Sequence, residues 1–295
     1  MNRCPTAPSQ WLVGSRTSGK RASGPRLSTG KTSTLATTVP ISPKPLVGLL
    51  RIPTRADWSR LTVFVHGFCG NLSENGLFDR IAGNLSAAGC PVLQYDWRGI
   101  GASQGSFQNS TVDQHCEDLL RLLKYVKQHF PRRELRFNAI GFSLGAALVG
   151  RVARKVSFDR IAYLSPAVHP RISMWPRYDS PEIRDALDQF GFFEKESTGI
   201  RVGRVLLDSL REFEFGEAAF RYPVPTLVCY GSNDQRIDPN LTRDVVRRCK
   251  SLNKHLIENR VEGASHSFKP TEEHWKQLAE TITTWMTDRP ARLPQ

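Results

Sequence analysis

Gly141, Ser143 and Gly145 stand at the spacing of a sharp strand-to-helix turn. Such a turn packs backbone against backbone, so the positions two before and two after the serine need small residues. The hydroxyl then projects from the fold beside a helix N-terminus, whose unpaired N–H groups face any developing oxyanion. The chemistry this permits is attack on a carbonyl, with the acyl group carried on the serine. The flanks agree: residues 135–140 alternate like a strand, and residues 146–153 are small and apolar like a helix.

A hydroxyl is a poor nucleophile until a base takes its proton, and an acid must hold that base in one tautomer. Of the seven histidines, His266 lies in Gly263-Ala264-Ser265-His266-Ser267-Phe268, a loop between the last strand and the last helix. His115 and His129 fall on the helix after Thr111, and His274 on the terminal helix, where solvation is expected. His169 opens an irregular segment, His255 starts a strand, and His66 belongs to the motif His66-Gly67-Phe68. His266 is the candidate base. Between Ser143 and His266, Asp234 directly follows a buried strand in Gly231-Ser232-Asn233-Asp234, whereas Asp238 sits nearer the next helix. Asp234 is the candidate acid and Asp238 its rival. Leu144 N–H, just after the serine, is one expected oxyanion donor. Phe68 N–H is the other, because Gly67 lets the backbone approach closely there.

With these residues, the chain from about 37 to 288 resembles the α/β-hydrolase superfamily. Within it, the chain is similar to cap-bearing serine esterases, the cinnamoyl/feruloyl-esterase-like and monoglyceride-lipase-like branch, also described as serine aminopeptidase-like. The matching features are His66-Gly67-Phe68 with Gly70-Asn71, residues 96–103, the turn at Ser143, Ser165-Pro166-Ala167, and the Asp234 and His266 loops. Cys69, Ile100, Phe142 and Ala146 depart from the residues usual in that branch. The resemblance implies cleavage of a small-molecule carboxylic ester through an acyl-serine, with no cofactor and no metal. Thioester cleavage or acyl transfer on the same residues is the alternative, and a non-catalytic ligand-binding protein of the same fold a further one.

The elements that must position these residues follow the same rhythm. Strands are expected at residues 46–52, 61–65, 92–95, 135–140, 158–164, 225–230 and 255–261, with helices between most of them. That alternation predicts an α/β fold, a mostly parallel central sheet with helices on both faces. Sites in such sheets form at the carboxyl ends of strands, where Phe68, Ser143, Asp234 and His266 all fall. The glycine-rich residues 96–103 lack the third glycine or the lysine of a nucleotide motif and read as a turn bracing the nucleophile region.

The rhythm breaks at residues 168–222, an insert that reads as a mostly helical or irregular cap. Its aromatic residues Trp175, Phe192 and Phe193, with Phe142 from the core, are the expected substrate pocket. The domain proper is read as residues 41–288, with 289–295 as a C-terminal tail. Residues 1–40 are basic, Ser/Thr-rich and free of acids, and read as a disordered tail or, alternatively, an organellar import signal.

The 295 residues carry a net charge of +13. Nine of the 41 bases precede the first acid, Asp57, so the remaining 32 bases nearly balance the 28 acids. The domain therefore gives no electrostatic footprint for nucleic acid. No apolar run is long enough to span a membrane. The six cysteines lack metal-site or C-x-x-C spacing and read as free thiols in a reducing, cytoplasmic setting.

Overall fold

The computed structural model describes residues 32–39, 44–130, 134–215, 219–220, 223–269 and 271–287. In chain order these form β1 (Thr32–Val39), β2 (Leu46–Pro53), β3 (Arg60–Val65), α1 (Leu77–Ala87), β4 (Val92–Tyr95), α2 (Val112–His129), β5 (Arg136–Phe142), α3 (Leu144–Val152) and β6 (Phe158–Leu164). A segment with α4 (Pro170–Ser173), α5 (Pro181–Phe190), β7 (Phe192–Lys195), β8 (Ile200–Gly203) and α6 (Arg204–Glu212) follows. The chain then completes β9 (Thr226–Gly231), α7 (Pro239–Cys249), β10 (Leu256–Val261) and α8 (Glu272–Thr287).

An uninterrupted apolar run can be a strand only where both its faces are covered. In β3, Leu61, Val63 and Val65 enter one core cluster, while Phe64 enters the cluster on the opposite face. β5 divides the same way: Phe137 and Ala139 go to the first, Ile140 and Phe142 to the second. The second face is closed by α1 and α8 through Phe78, Ile81, Leu278 and Ile282. The first is closed by α2, α3 and α6 through Leu119, Leu148 and Leu206. Thr111 starts α2 with a capping box: its hydroxyl accepts Gln114 N–H at 3.1 Å, and the Gln114 side chain accepts Thr111 N–H at 3.0 Å.

The eight strands of the main sheet are ordered β1-β2-β4-β3-β5-β6-β9-β10. β2 runs antiparallel to both its neighbours, and every other pair is parallel. The carboxyl ends of β3, β5, β9 and β10 therefore open on one edge.

Two boundaries differ from the sequence reading. β1 lies inside the segment expected to be a tail up to residue 40, pairing with β2 from Thr32 opposite Pro53 to Val39 opposite Leu46. Strand addition at a sheet edge rests on main-chain hydrogen bonds and needs no apolar pattern of its own, which is why composition did not reveal it. The remaining tail residues, 1–31, 40 and 289–295, lie outside the described residues. The second difference is in the insert, where β7 and β8 form a separate antiparallel pair, with Phe192 opposite Gly203.

Candidate active site

The turn at Ser143 is where strand β5 becomes helix α3. Ser143 takes φ 53° and ψ −119°, a conformation that residues with a Cβ rarely adopt. It is held there from both sides: Ser143 N–H donates to Leu164 O at 2.9 Å, and Ser143 O accepts Ala167 N–H at 3.1 Å. The flanking glycines are sites of close approach. A Cβ on Gly145 would lie 2.1 Å from Val65 O, and one on Gly141 would lie 2.5 Å from Ala146 Cα. Leu144 is the first residue of α3, where N–H groups have no partner within the helix.

The loops after β9 and β10 are tied together before either side chain is considered. Asn233 N–H donates to Ala264 O at 2.9 Å, and Ser232 N–H to Val261 O at 2.9 Å. Across that junction His266 Nδ1 meets Asp234 Oδ2 at 2.7 Å. The other carboxylate oxygen, Oδ1, accepts Arg236 N–H at 2.8 Å and Ile237 N–H at 2.9 Å. With both oxygens engaged as acceptors, the histidine proton is directed to Nδ1, which leaves Nε2 as an acceptor. Asp238, the rival acid, instead caps α7 by accepting Asn240 N–H at 2.8 Å. His266 is drawn to the Ser143 turn by two contacts. Phe142 lies 5.0 Å from its ring, centroid to centroid, and Ser165 Oγ donates to His266 O at 2.8 Å.

The loop after β3 completes the edge. A Cβ on Gly67 would lie 3.3 Å from Ser143 Cβ, so this loop passes directly beside the serine. Gly67 O accepts from His66 Nδ1 at 2.9 Å and from Gly70 N–H at 3.0 Å. Phe68 N–H belongs to the same planar peptide and so points the opposite way. It has no hydrogen-bond partner among the described residues. His66 is fully buried, its ring stacked on Trp97, and its Nε2 accepts Trp97 N–H at 3.1 Å. Burial, outweighing the Gly67 contact, lowers its pKa to about 4, so the ring is a neutral Nδ1–H donor.

Residues 96–103 brace this loop rather than the serine turn, because their polar contacts run there. Asp96 Oδ1 accepts Leu72 N–H at 2.7 Å, and the Trp97 contact to His66 is part of the same turn. His115, expected to be solvated, is buried. It packs at a tilt against Trp97 and Phe107, with Nε2 2.8 Å from Ser110 Oγ, and burial lowers its pKa to about 3.

The four expected pocket residues separate. Phe142 is buried in the core against the His266 ring. Trp175 lies under the Arg211 guanidinium, 5.3 Å from it, and Phe192 under Arg201 at 4.7 Å. Phe193 turns to Tyr178 at 5.9 Å, and Tyr178 in turn meets Phe68 edge-on at 5.4 Å. Phe192 and Phe193 are neighbours on a strand and so take opposite faces, a distinction that composition does not carry. Tyr178 was not expected; its signal was only its place in an aromatic insert. The turn Trp175–Tyr178 thus reaches Phe68 with Tyr178, while Arg177 donates to Arg236 O in the acid loop. A cleft of about 660 Å³ opens between this turn and that loop, with Ile172, Arg177, Asp234 and Arg236 among its lining residues. Among the described residues, no cluster of three or more His, Cys, Asp or Glu is placed to hold a metal ion, and no helix is long and apolar enough to cross a membrane.

The strand order, with β2 the one strand antiparallel to both its neighbours, and a serine turn on the same sheet edge as the acid and histidine loops, are those of the α/β-hydrolase fold. The chain has the α/β-hydrolase fold. A family model described as serine aminopeptidase, S33, matches residues 57–190. Esterase EstD of Thermotoga maritima is 28% identical over 131 residues, 42% of this chain and 31% of its own length. An uncharacterised protein of Rickettsia prowazekii is 23% identical over 200 residues, 66% of each chain. Among solved structures, Est1E of Butyrivibrio proteoclasticus with ferulic acid bound superposes with a TM-score of 0.71 at 20% identity, covering 87% of this chain and 100% of Est1E.

Proposed function

We propose that the protein is a serine hydrolase that cleaves small-molecule carboxylic esters through an acyl-serine intermediate. The observation that carries this reading is the strained backbone of Ser143, held at φ 53° between β5 and α3, on the sheet edge that also bears the His266–Asp234 pair. Strain of this kind persists only where the surrounding structure enforces it, and it clusters at functional sites.

In this reading Ser143 Oγ attacks the ester carbonyl carbon while its proton passes to His266 Nε2. Asp234 orients the ring and balances the imidazolium. The carbonyl oxygen becomes an oxyanion facing Phe68 N–H and Leu144 N–H. Collapse breaks the bond to the alcohol oxygen, which leaves with the proton from His266. Water then repeats the sequence on the acyl-serine and releases the carboxylic acid. The similarity to EstD and to Est1E inclines the reading toward esters.

A fluorophosphonate probe tests the reading directly. The wild-type protein is expected to label at Ser143 and to hydrolyse p-nitrophenyl esters. An unlabelled Ser143 in folded protein would defeat it.

Substrate choice is assigned to the wall formed by Phe68, Tyr178 and Phe193. Tyr178→Ala and Phe193→Ala should reorder preference across a series of acyl lengths, by about 1–3 kcal/mol per methylene. Trp175→Ala and Phe192→Ala, whose rings are covered by arginines, should keep the wild-type rank order. The reverse pattern in kcat/KM across the series would show that the wall lies elsewhere.

A further inference from the structure

Glu74 is a buried carboxylate that the mechanism above does not use. The chain takes trouble to bring it inward. Glu74 and its neighbour Asn75 both have positive φ, 47° and 55°, in the short turn Glu74–Gly76. Asn71 Oδ1 steadies that turn by accepting Ser73 N–H at 3.0 Å and Glu74 N–H at 3.2 Å. Room for the carboxylate is kept by Gly70, where a Cβ would lie 2.5 Å from Glu74 Oε2. That oxygen accepts Gly67 N–H at 2.8 Å. Gly67 is therefore held at both ends: its N–H by Glu74, its carbonyl by His66 and Gly70.

We propose that Glu74 is a positioning residue for the oxyanion donor: by holding Gly67 N–H, in the peptide just before, it anchors one side of Gly67 and so, with the Gly67 carbonyl held on the other side, fixes the direction of Phe68 N–H toward the reacting carbonyl. This rests on the acyl-serine reading above. Holding Gly67 N–H also leaves Phe68 as the donor from this loop. Burial pushes the Glu74 carboxyl from 4.5 up to about 7, against the opposing pull of Gly67 N–H, of Lys195 on β7 and of Arg236 in the acid loop. Because the folded pKa lies above the unfolded one, the native state holds the proton more tightly. The charge on Glu74 therefore costs stability, a cost absent below pH 4.5 and complete above about pH 7. A carboxylate retained at that cost fits a site where stability is given up for activity.

The test uses the full chain as Glu74→Ala and Glu74→Gln. Glu74→Ala should lower kcat by about 10–100-fold, somewhat less than the roughly 100–1,000-fold loss of one oxyanion donor, and leave KM within about three-fold. It should weaken a trifluoromethyl ketone, which forms a tetrahedral adduct on serine, by a similar factor. Glu74→Gln keeps an acceptor oxygen at the same place and should recover most of that loss. Its melting temperature should also gain on wild type as pH rises from 4.5 to about 7. Wild-type kcat in Glu74→Ala would overturn the proposal, as would equal losses in both variants that track falling melting temperature. If Ser143→Ala retains hydrolysis, the acyl-serine reading fails on its own. Amide exchange over residues 66–70 then decides: faster exchange in Glu74→Ala than in wild type supports the positioning role, and unchanged exchange removes it.

Discussion

Ser143→Ala is expected to lower kcat by about a million-fold, His266→Ala by about the same factor, and the double variant by little more. The non-additivity follows from the proposed acyl-serine reading, in which the two groups perform one step: without the hydroxyl there is no proton for His266 to take, and without His266 the hydroxyl stays a poor nucleophile. The residual rate is set by binding and by the backbone donors alone. Folding is not at issue in these variants. Alanine carries the same Cβ as serine, so Ser143→Ala leaves the backbone strain at φ 53° in place and should melt close to wild type. Ser143→Gly separates the two quantities further. Glycine accepts positive φ without penalty, so this variant should be more stable, by about 1–3 kcal/mol, and equally inactive. Single-turnover hydrolysis and thermal melts on the four proteins check both statements. Near-wild-type turnover in Ser143→Ala would remove the nucleophile assignment, and losses that multiply in the double variant would show two independent roles.

Asp234→Asn should lower kcat by about 10⁴-fold while Asp238→Asn stays close to wild type. The backbone decides the first outcome. Arg236 N–H and Ile237 N–H both point at the Oδ1 position, so an asparagine there places its oxygen toward them and its NH₂ toward His266. The imidazole must then accept at Nδ1 and carry its proton on Nε2, the tautomer that cannot take a proton from Ser143. Asp238 serves a different purpose, accepting Asn240 N–H at the start of α7, and asparagine caps a helix as well as aspartate. Asp238→Ala should cost about 1 kcal/mol in stability with little change in rate. Steady-state kinetics with melting curves distinguish the pair. A large rate loss at Asp238 with none at Asp234 would reverse the assignment.

Much of the fold was readable because its causes are local. Gly141, Ser143 and Gly145 announce a sharp turn because no larger residue fits there, and the adjoining strand and helix patterns lie within the same stretch of chain. The continuous apolar run of β3 and the alternation leading into Ser143 in β5 announced strands, because alternate residues on a strand reach opposite layers. Asp234 could be separated from Asp238 by its distance from a strand end, without any coordinates.

What the sequence by itself determined, then, is the layered α/β architecture and the set of loops that meet at its carboxyl edge. Only the tertiary structure decided which way their side chains and peptides turn. His115 was expected in solvent, but it is buried because Trp97 and Phe107, both outside its own helix, close over it. Phe193 rather than Phe192 turns to Tyr178 because β8 fixes which face of β7 looks inward. Glu74 shows no motif at all, since its burial depends on a strained turn folding its carboxylate back onto Gly67. In each case the deciding free energy is desolvation and packing of a side chain in the folded loop or insert, and local propensity has no access to it.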